Sequence, residues 1–91
     1  MSNKIPPAFD GRVQTIGWFA YEESVEEWES ITTKEPKLRG PMLRNRLSGS
    51  CLMLKPLFDT TILQDPERGV QYFLQTLHPH FIQSAEHVFL W

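Results

Sequence analysis

From Trp18 to Thr32 the apolar positions Trp18, Tyr21, Val25, Trp28 and Ile31 or Thr32 recur in steps of three and four. That spacing lines one face of a helix. Glu22, Glu23, Glu26, Glu27 and Glu29 fill the rest of the surface, so the segment predicts the clearest amphipathic helix of the chain. Residues 1–16 differ: they hold Pro6, Pro7 and the turn pair Asp10-Gly11 and carry no helical period. They predict an extended arm anchored by Phe9, with a short strand at Val13–Ile16.

Beyond the first helix, Thr32–Gly40 predicts a connector, because Pro36 opposes helix continuation. Pro41 suits a first helical turn, where its missing N–H costs nothing. Leu43, Leu47, Cys51 and Leu54 then continue the period, predicting a second helix over about 41–55 that Pro56 ends. Gly49 weakens that helix and invites the close approach of a neighbour. Residues 56–64 form a turn or short helix. Asp65-Pro66 supplies a cap and a first-turn proline, and Val70, Phe73, Leu74, Leu77 and Phe81 follow the helical period, predicting a third helix over about 66–77 that Pro79 stops. A fourth helix starts near Ile82–Ser84 and presents Ala85, Val88 and Phe89. The expected architecture is all-α: about four helices over 17–91 behind the arm of 1–16, with Phe9, Trp18, Trp28, Leu43, Leu47, Phe73 and Leu77 in the core. The last residues, His-Val-Phe-Leu-Trp, lie on an apolar face. Such a face wants a cover, so the expectation is a fragment, or a bundle that a partner continues.

Composition narrows the class. The 91 residues, 41% apolar and 22% charged, suit one hydrophobic core and exclude the highly charged, weakly hydrophobic regime of disordered chains. The single cysteine, Cys51, allows neither an internal disulfide nor a thiolate metal cluster, which makes a cytoplasmic or nuclear setting the default, with cytoplasmic the expectation. The start MSNKIPPAF lacks a signal-peptide core, and no apolar run approaches the roughly 20 residues of a membrane span.

The net charge of −2 conceals a segregation. Residues 17–32 carry five carboxylates and no Lys or Arg, whereas 34–55 carry Lys34, Lys37, Arg39, Arg44, Arg46 and Lys55 against Glu35 alone. Charge runs are ordinarily solvated faces. The sharper reading joins the acidic helix of one copy to the basic segment of another, which makes Glu22, Glu23, Glu26, Arg39, Arg44 and Arg46 candidate interface residues. Phe19 joins them, because it lies about 100° off the apolar stripe of its helix. Phe89 and Trp91 join them from the C-terminal apolar end. Nucleic-acid binding is not supported: no aromatic residues alternate with the cations as single-strand binding surfaces prefer.

Catalytic and metal chemistry find little footing. His78, His80 and His87 pass on count for zinc, but His-Pro-His straddles a predicted helix end with no Cys or Asp close by. They read instead as a helix-terminal cation and two partly exposed polar residues. Cys51 falls on an apolar stripe, the ordinary place of a buried thiol rather than a nucleophile. Glu22 with Glu26 and Glu23 with Glu27 are solvated pairs without the dry cleft that acid–base work needs. The chain lacks phosphate-loop, dinucleotide and nucleophile-elbow motifs. The expectation is a protein that is not an enzyme and needs no cofactor.

The ordered series Pro-Pro-Ala-Phe-Asp-Gly (6–11), Trp18-Phe19-Ala20-Tyr21-Glu22-Glu23, Trp28, Gly40-Pro41, Leu43-Arg44-Asn45-Arg46-Leu47, Asp65-Pro66, Gly69-Val70, Leu77-His78-Pro79-His80-Phe81 and Val88-Phe89-Leu90-Trp91 resembles the Gag region of copia-type LTR retrotransposons. The resemblance covers Pro6 to Trp91. It places Phe9, Gly11 and Trp18 in the family's Phe-x-Gly turn and helix-opening Trp, although Val13–Gly17 makes that spacing longer than the family's. It implies a capsid-like helical domain, similar to a retroviral capsid N-terminal domain, that self-associates as one piece of a Gag-Pol polyprotein. The zinc knuckle that binds RNA in such proteins has no counterpart in these residues. The runner-up is a small helical adaptor that binds another protein through Phe19 or the C-terminal apolar end.

Overall fold

A computed structural model describes residues 5–12 and 14–89, with side chains placed through residue 82. Those residues form an all-α fold. Its elements are α1 (Trp18–Ile31), α2 (Pro36–Arg44), a 3₁₀ segment (Gly49–Leu57), α3 (Thr60–Leu63) and α4 (Gly69–Phe89). None of the described helices is long and apolar enough to cross a membrane.

α1 forms where its period demands it, burying Trp18, Tyr21, Val25 and Trp28. Thr32 rather than Ile31 completes the face: Thr32 is buried and Ile31 is half exposed. The second helix departs from expectation. It begins at Pro36 and includes Pro41, so much of the predicted connector is helical. Pro36 sits in the first turn, where a ring with fixed φ is an asset rather than a break. The period Leu43–Leu47–Cys51 is real in burial but not in backbone, because the chain leaves the helix at Arg44.

What interrupts that helix is the arm. The Phe9 N–H donates to the Arg46 carbonyl at 3.2 Å, and the Ser48 N–H donates to the Phe9 carbonyl at 2.9 Å. This parallel bridge between Phe9 and Leu47 claims backbone groups that a continuous helix would use itself. Arg46 Nε donates to the Pro6 carbonyl at 3.1 Å, and the Ser50 hydroxyl to the Asp10 carbonyl at 3.1 Å. Gly49, at φ +56°, admits the arm rather than a helix, since a Cβ there would press on the Asp10 carbonyl. The strand expected at Val13–Ile16 is replaced by a turn over its described residues, 14–16. Thr15 and Ile16 both donate N–H to the Arg12 carbonyl at 3.1 Å, and Val13 itself lies outside the described residues.

The predicted third and fourth helices are one. α4 runs through Pro79. The proline deprives the Gln75 carbonyl of its donor, but its ring is exposed. Leu77 on one side of it is fully buried and Phe81 and Ile82 on the other pack against the core, which holds both halves on one course. Asp65 caps the approach, accepting the N–H groups of Glu67 and Arg68 at 2.8 Å each. Those bonds, Glu67 first, hold its carboxyl below the usual range. α4 packs against α1, α2 and α3.

Two aromatic groups fix the core. Phe9 stacks on Tyr21 at 4.2 Å and meets Trp18 and Phe81 edge-on, while Trp18 stacks on Phe81 at 5.5 Å. This group ties the arm to α1 and α4. Phe58 stacks on Phe73 at 5.2 Å and ties the end of the 3₁₀ segment to α4. Truncating a buried Phe of this kind to Ala costs about 3–5 kcal/mol, enough to unfold a small domain.

Candidate functional site

The core candidates Phe9, Trp18, Trp28, Leu43, Leu47, Phe73 and Leu77 are all buried. The interface candidates divide between two surfaces that belong to different elements.

The first surface is the outer face of α1. Phe19 is 70% exposed, because the helix turns it away from the stripe that begins at Trp18. Glu23, Glu26 and Glu27 are exposed, and Glu22 and Glu29 half-buried. Phe19, Glu23, Glu27 and the half-exposed Ile31 follow one another at four-residue steps, a ridge about 18 Å long with apolar ends and an acidic middle. Glu22 and Glu26 turn instead toward α4, lining a groove of about 210 Å³ with Gln71, Gln75 and His78.

The second surface is the 3₁₀ segment. Cys51 buries one end of it under the arm and Phe58 anchors the other on α4. The Asp59 N–H adds a bond to the Tyr72 hydroxyl at 2.7 Å, and the Asp59 carboxylate caps α3. Between these fixed ends Leu52 and Leu57 are each 52% exposed and Met53 is 83% exposed. Helical spacing hides this strip, because it predicts a helix here with Leu54 on its buried stripe. The signal was the consecutive run Leu52-Met53-Leu54, which one helical face cannot hide, set between Gly49 and Pro56.

Two cations accompany the strip, Arg44 and Lys55. Arg44 Nε donates to the Lys55 carbonyl at 3.2 Å, so the guanidinium lies against the segment that carries the Lys55 ammonium. Arg39 and Arg46 are likewise tied to their own chain, through Nε to the Lys34 and Pro6 carbonyls at 3.1 Å. Among the described residues the one salt bridge joins Lys37 to Glu35 at 3.9 Å, and it is well exposed. Within that set, therefore, none of the three arginines meets a carboxylate, and the carboxylates of α1 have no cationic partner. Phe89 has its backbone in α4, but its side chain and all of Trp91 lie outside the described residues.

The chemical candidates do not converge. His78 packs edge-on against Trp18 at 6.1 Å and lines the α1–α4 groove, whereas His80 borders a second groove of about 230 Å³ beside Gly11, Ile16 and Phe81. His87 lies outside the described side chains. No three His, Cys, Asp or Glu among the described residues come together as metal ligands. Cys51 is fully buried, and burial, helped by the charge of Asp10, pushes its thiol up to about 11. At neutral pH it is protonated and sheltered, the reverse of an activated nucleophile. Burial raises the Tyr21 hydroxyl as well, with Cys51 contributing. Asp10 is held low, first by the N–H of Arg12 at 2.9 Å and then by the Thr15 hydroxyl at 3.1 Å, so its carboxylate pins the turn. The arrangement can present surfaces to another molecule. No family model, curated protein or solved structure matches the chain.

Proposed function

We propose that this chain is a non-enzymatic self-association domain of the kind its resemblance to retrotransposon Gag implies, acting in the cytoplasm through contacts between its own copies. The supporting observation is the charge arrangement: an acidic helix face and a basic segment of one chain form no ion pair with each other among the described residues. Each carries exposed large apolar residues, Phe19 and Ile31 on one, Leu52, Met53 and Leu57 on the other. Apolar groups rimmed by charge mark contact surfaces. The buried, protonated Cys51 favours a packing role for that thiol.

Light scattering and electron microscopy of the purified full chain test the reading. Mass that grows with protein concentration, toward particles or extended assemblies, is the expected result. A strict monomer at millimolar concentration contradicts it and favours the adaptor reading, in which Phe19 or the C-terminal apolar end meets a different protein.

A further inference from the structure

The self-association reading leaves open which surfaces meet, and the charge pattern decides between the possibilities. Pairing two α1 faces would set one row of carboxylates against another. Pairing two 3₁₀ strips would bring Arg44 and Lys55 of one copy against the same cations of the next. Like charges placed opposite one another disfavour both symmetric dimers. The remaining combination sets unlike surfaces together. We infer that the Leu52–Leu57 strip of one copy receives the Phe19–Ile31 ridge of α1 from a second copy, so that copies join head to tail.

Geometry and chemistry favour this occupant. The Leu52–Leu57 strip, at roughly 2 Å per residue, is about 10 Å long, so it spans Phe19 and the acidic middle of the ridge rather than its full length of about 18 Å. Phe19 supplies an exposed aromatic anchor for the apolar strip of Leu52, Met53 and Leu57. Glu23 and Glu27 supply carboxylates for the Arg44 guanidinium and the Lys55 ammonium. Arg44 already spends Nε on the Lys55 carbonyl, which fixes the planar group while its terminal nitrogens remain donors. The strip is held at both ends, by Cys51 under the arm and Phe58 on α4, so little ordering remains to be done on docking. Because the two surfaces differ, each copy in a chain keeps one surface free at either end. Such a contact extends into a ring or a filament rather than closing as a dimer.

The inference rests on the self-association reading, and one experiment separates their failures. Two full-length variants each disable one surface through exposed positions: Phe19→Ser with Glu23→Lys, and Leu52→Ser with Met53→Ser. Thermal melting checks that both fold. A charge-only pair, Glu23→Lys with Glu27→Lys and Lys55→Glu, repeats the test without touching an apolar side chain. Sedimentation equilibrium of each variant alone should show association weakened at least tenfold relative to the unaltered chain. An equimolar mixture of the first two variants should form a 1:1 pair that does not grow, since only one complementary contact survives. If the unaltered chain associates and either variant associates equally well alone, the assignment of surfaces is overturned while self-association stands. If the unaltered chain stays monomeric, both fall. Monomers that instead bind phosphatidylserine vesicles through the strip would overturn both in favour of a lipid surface.

Discussion

Gly11 and Gly49 hold the two positive-φ positions among the described residues, at +80° and +56°, and each faces the other's segment. A Cβ on Gly11 would strike the Ser50 hydroxyl and crowd the Cys51 sulfur. Gly11→Ala therefore combines a left-handed backbone cost of about 1–2 kcal/mol with that clash. Its expected effect is a lower urea midpoint together with faster proteolysis of the arm. At Tyr21 the opposite sign is expected. Its hydroxyl, like the indole nitrogens of Trp18 and Trp28, is buried without a hydrogen-bond partner among the described residues. Leaving such a group unsatisfied costs about 1–3 kcal/mol. Tyr21→Phe should thus hold or raise stability in urea titration, and a loss of more than about 1 kcal/mol would reveal a partner for the hydroxyl. Alkaline titration reads the same cluster. The fold favours the protonated Cys51 thiol, so that contribution is intact below the thiol's ordinary value of 9.0 and is lost as pH rises through about 11. Cys51→Ala should flatten the first part of this fall, with Tyr21 contributing the rest.

At the scale of elements, residues whose partners are local in sequence were legible and those with distant partners were not. α1 could be read to within a residue, because its stripe needs only the three-and-four repeat. The off-stripe position of Phe19 followed from the same count. The second helix misled because Leu43, Leu47 and Cys51 are buried at helical spacing, while the chain between them is bent by the arm some 40 residues earlier. Nothing local to Arg46 announces Pro6 as its acceptor. Pro79 misled in a similar way: the proline penalty is local, but Phe81 and Ile82 find a core that carries α4 past it. Since Pro79 is exposed and sits in helical backbone, Pro79→Ala restores a donor for the Gln75 carbonyl without disturbing packing. A gain of about 1–3 kcal/mol in chemical denaturation is expected. A loss would mean that the ring itself is needed in the fold or in a contact.

For the whole molecule, a sequence with a nearly neutral total has become a body with an acidic ridge and a basic apolar strip on separate elements. The segregation was legible from the order of charges. Which cations remain available was not, because Arg39, Arg44 and Arg46 each hold a carbonyl of their own chain. The exposed strip was also hidden, since Leu52, Met53 and Leu57 look like core material until Cys51 and Phe58 are seen to take the buried places. In the proposed assembly, copies of this chain join through these opposite charges. Its most direct test is sedimentation velocity over a salt series, because screening shortens from about 10 Å at 0.1 M to about 3 Å at 1 M. The sedimentation coefficient should climb with protein concentration at low salt and fall back toward the monomer value as salt rises. Association indifferent to ionic strength, or a monomer at every salt and protein concentration, would contradict it.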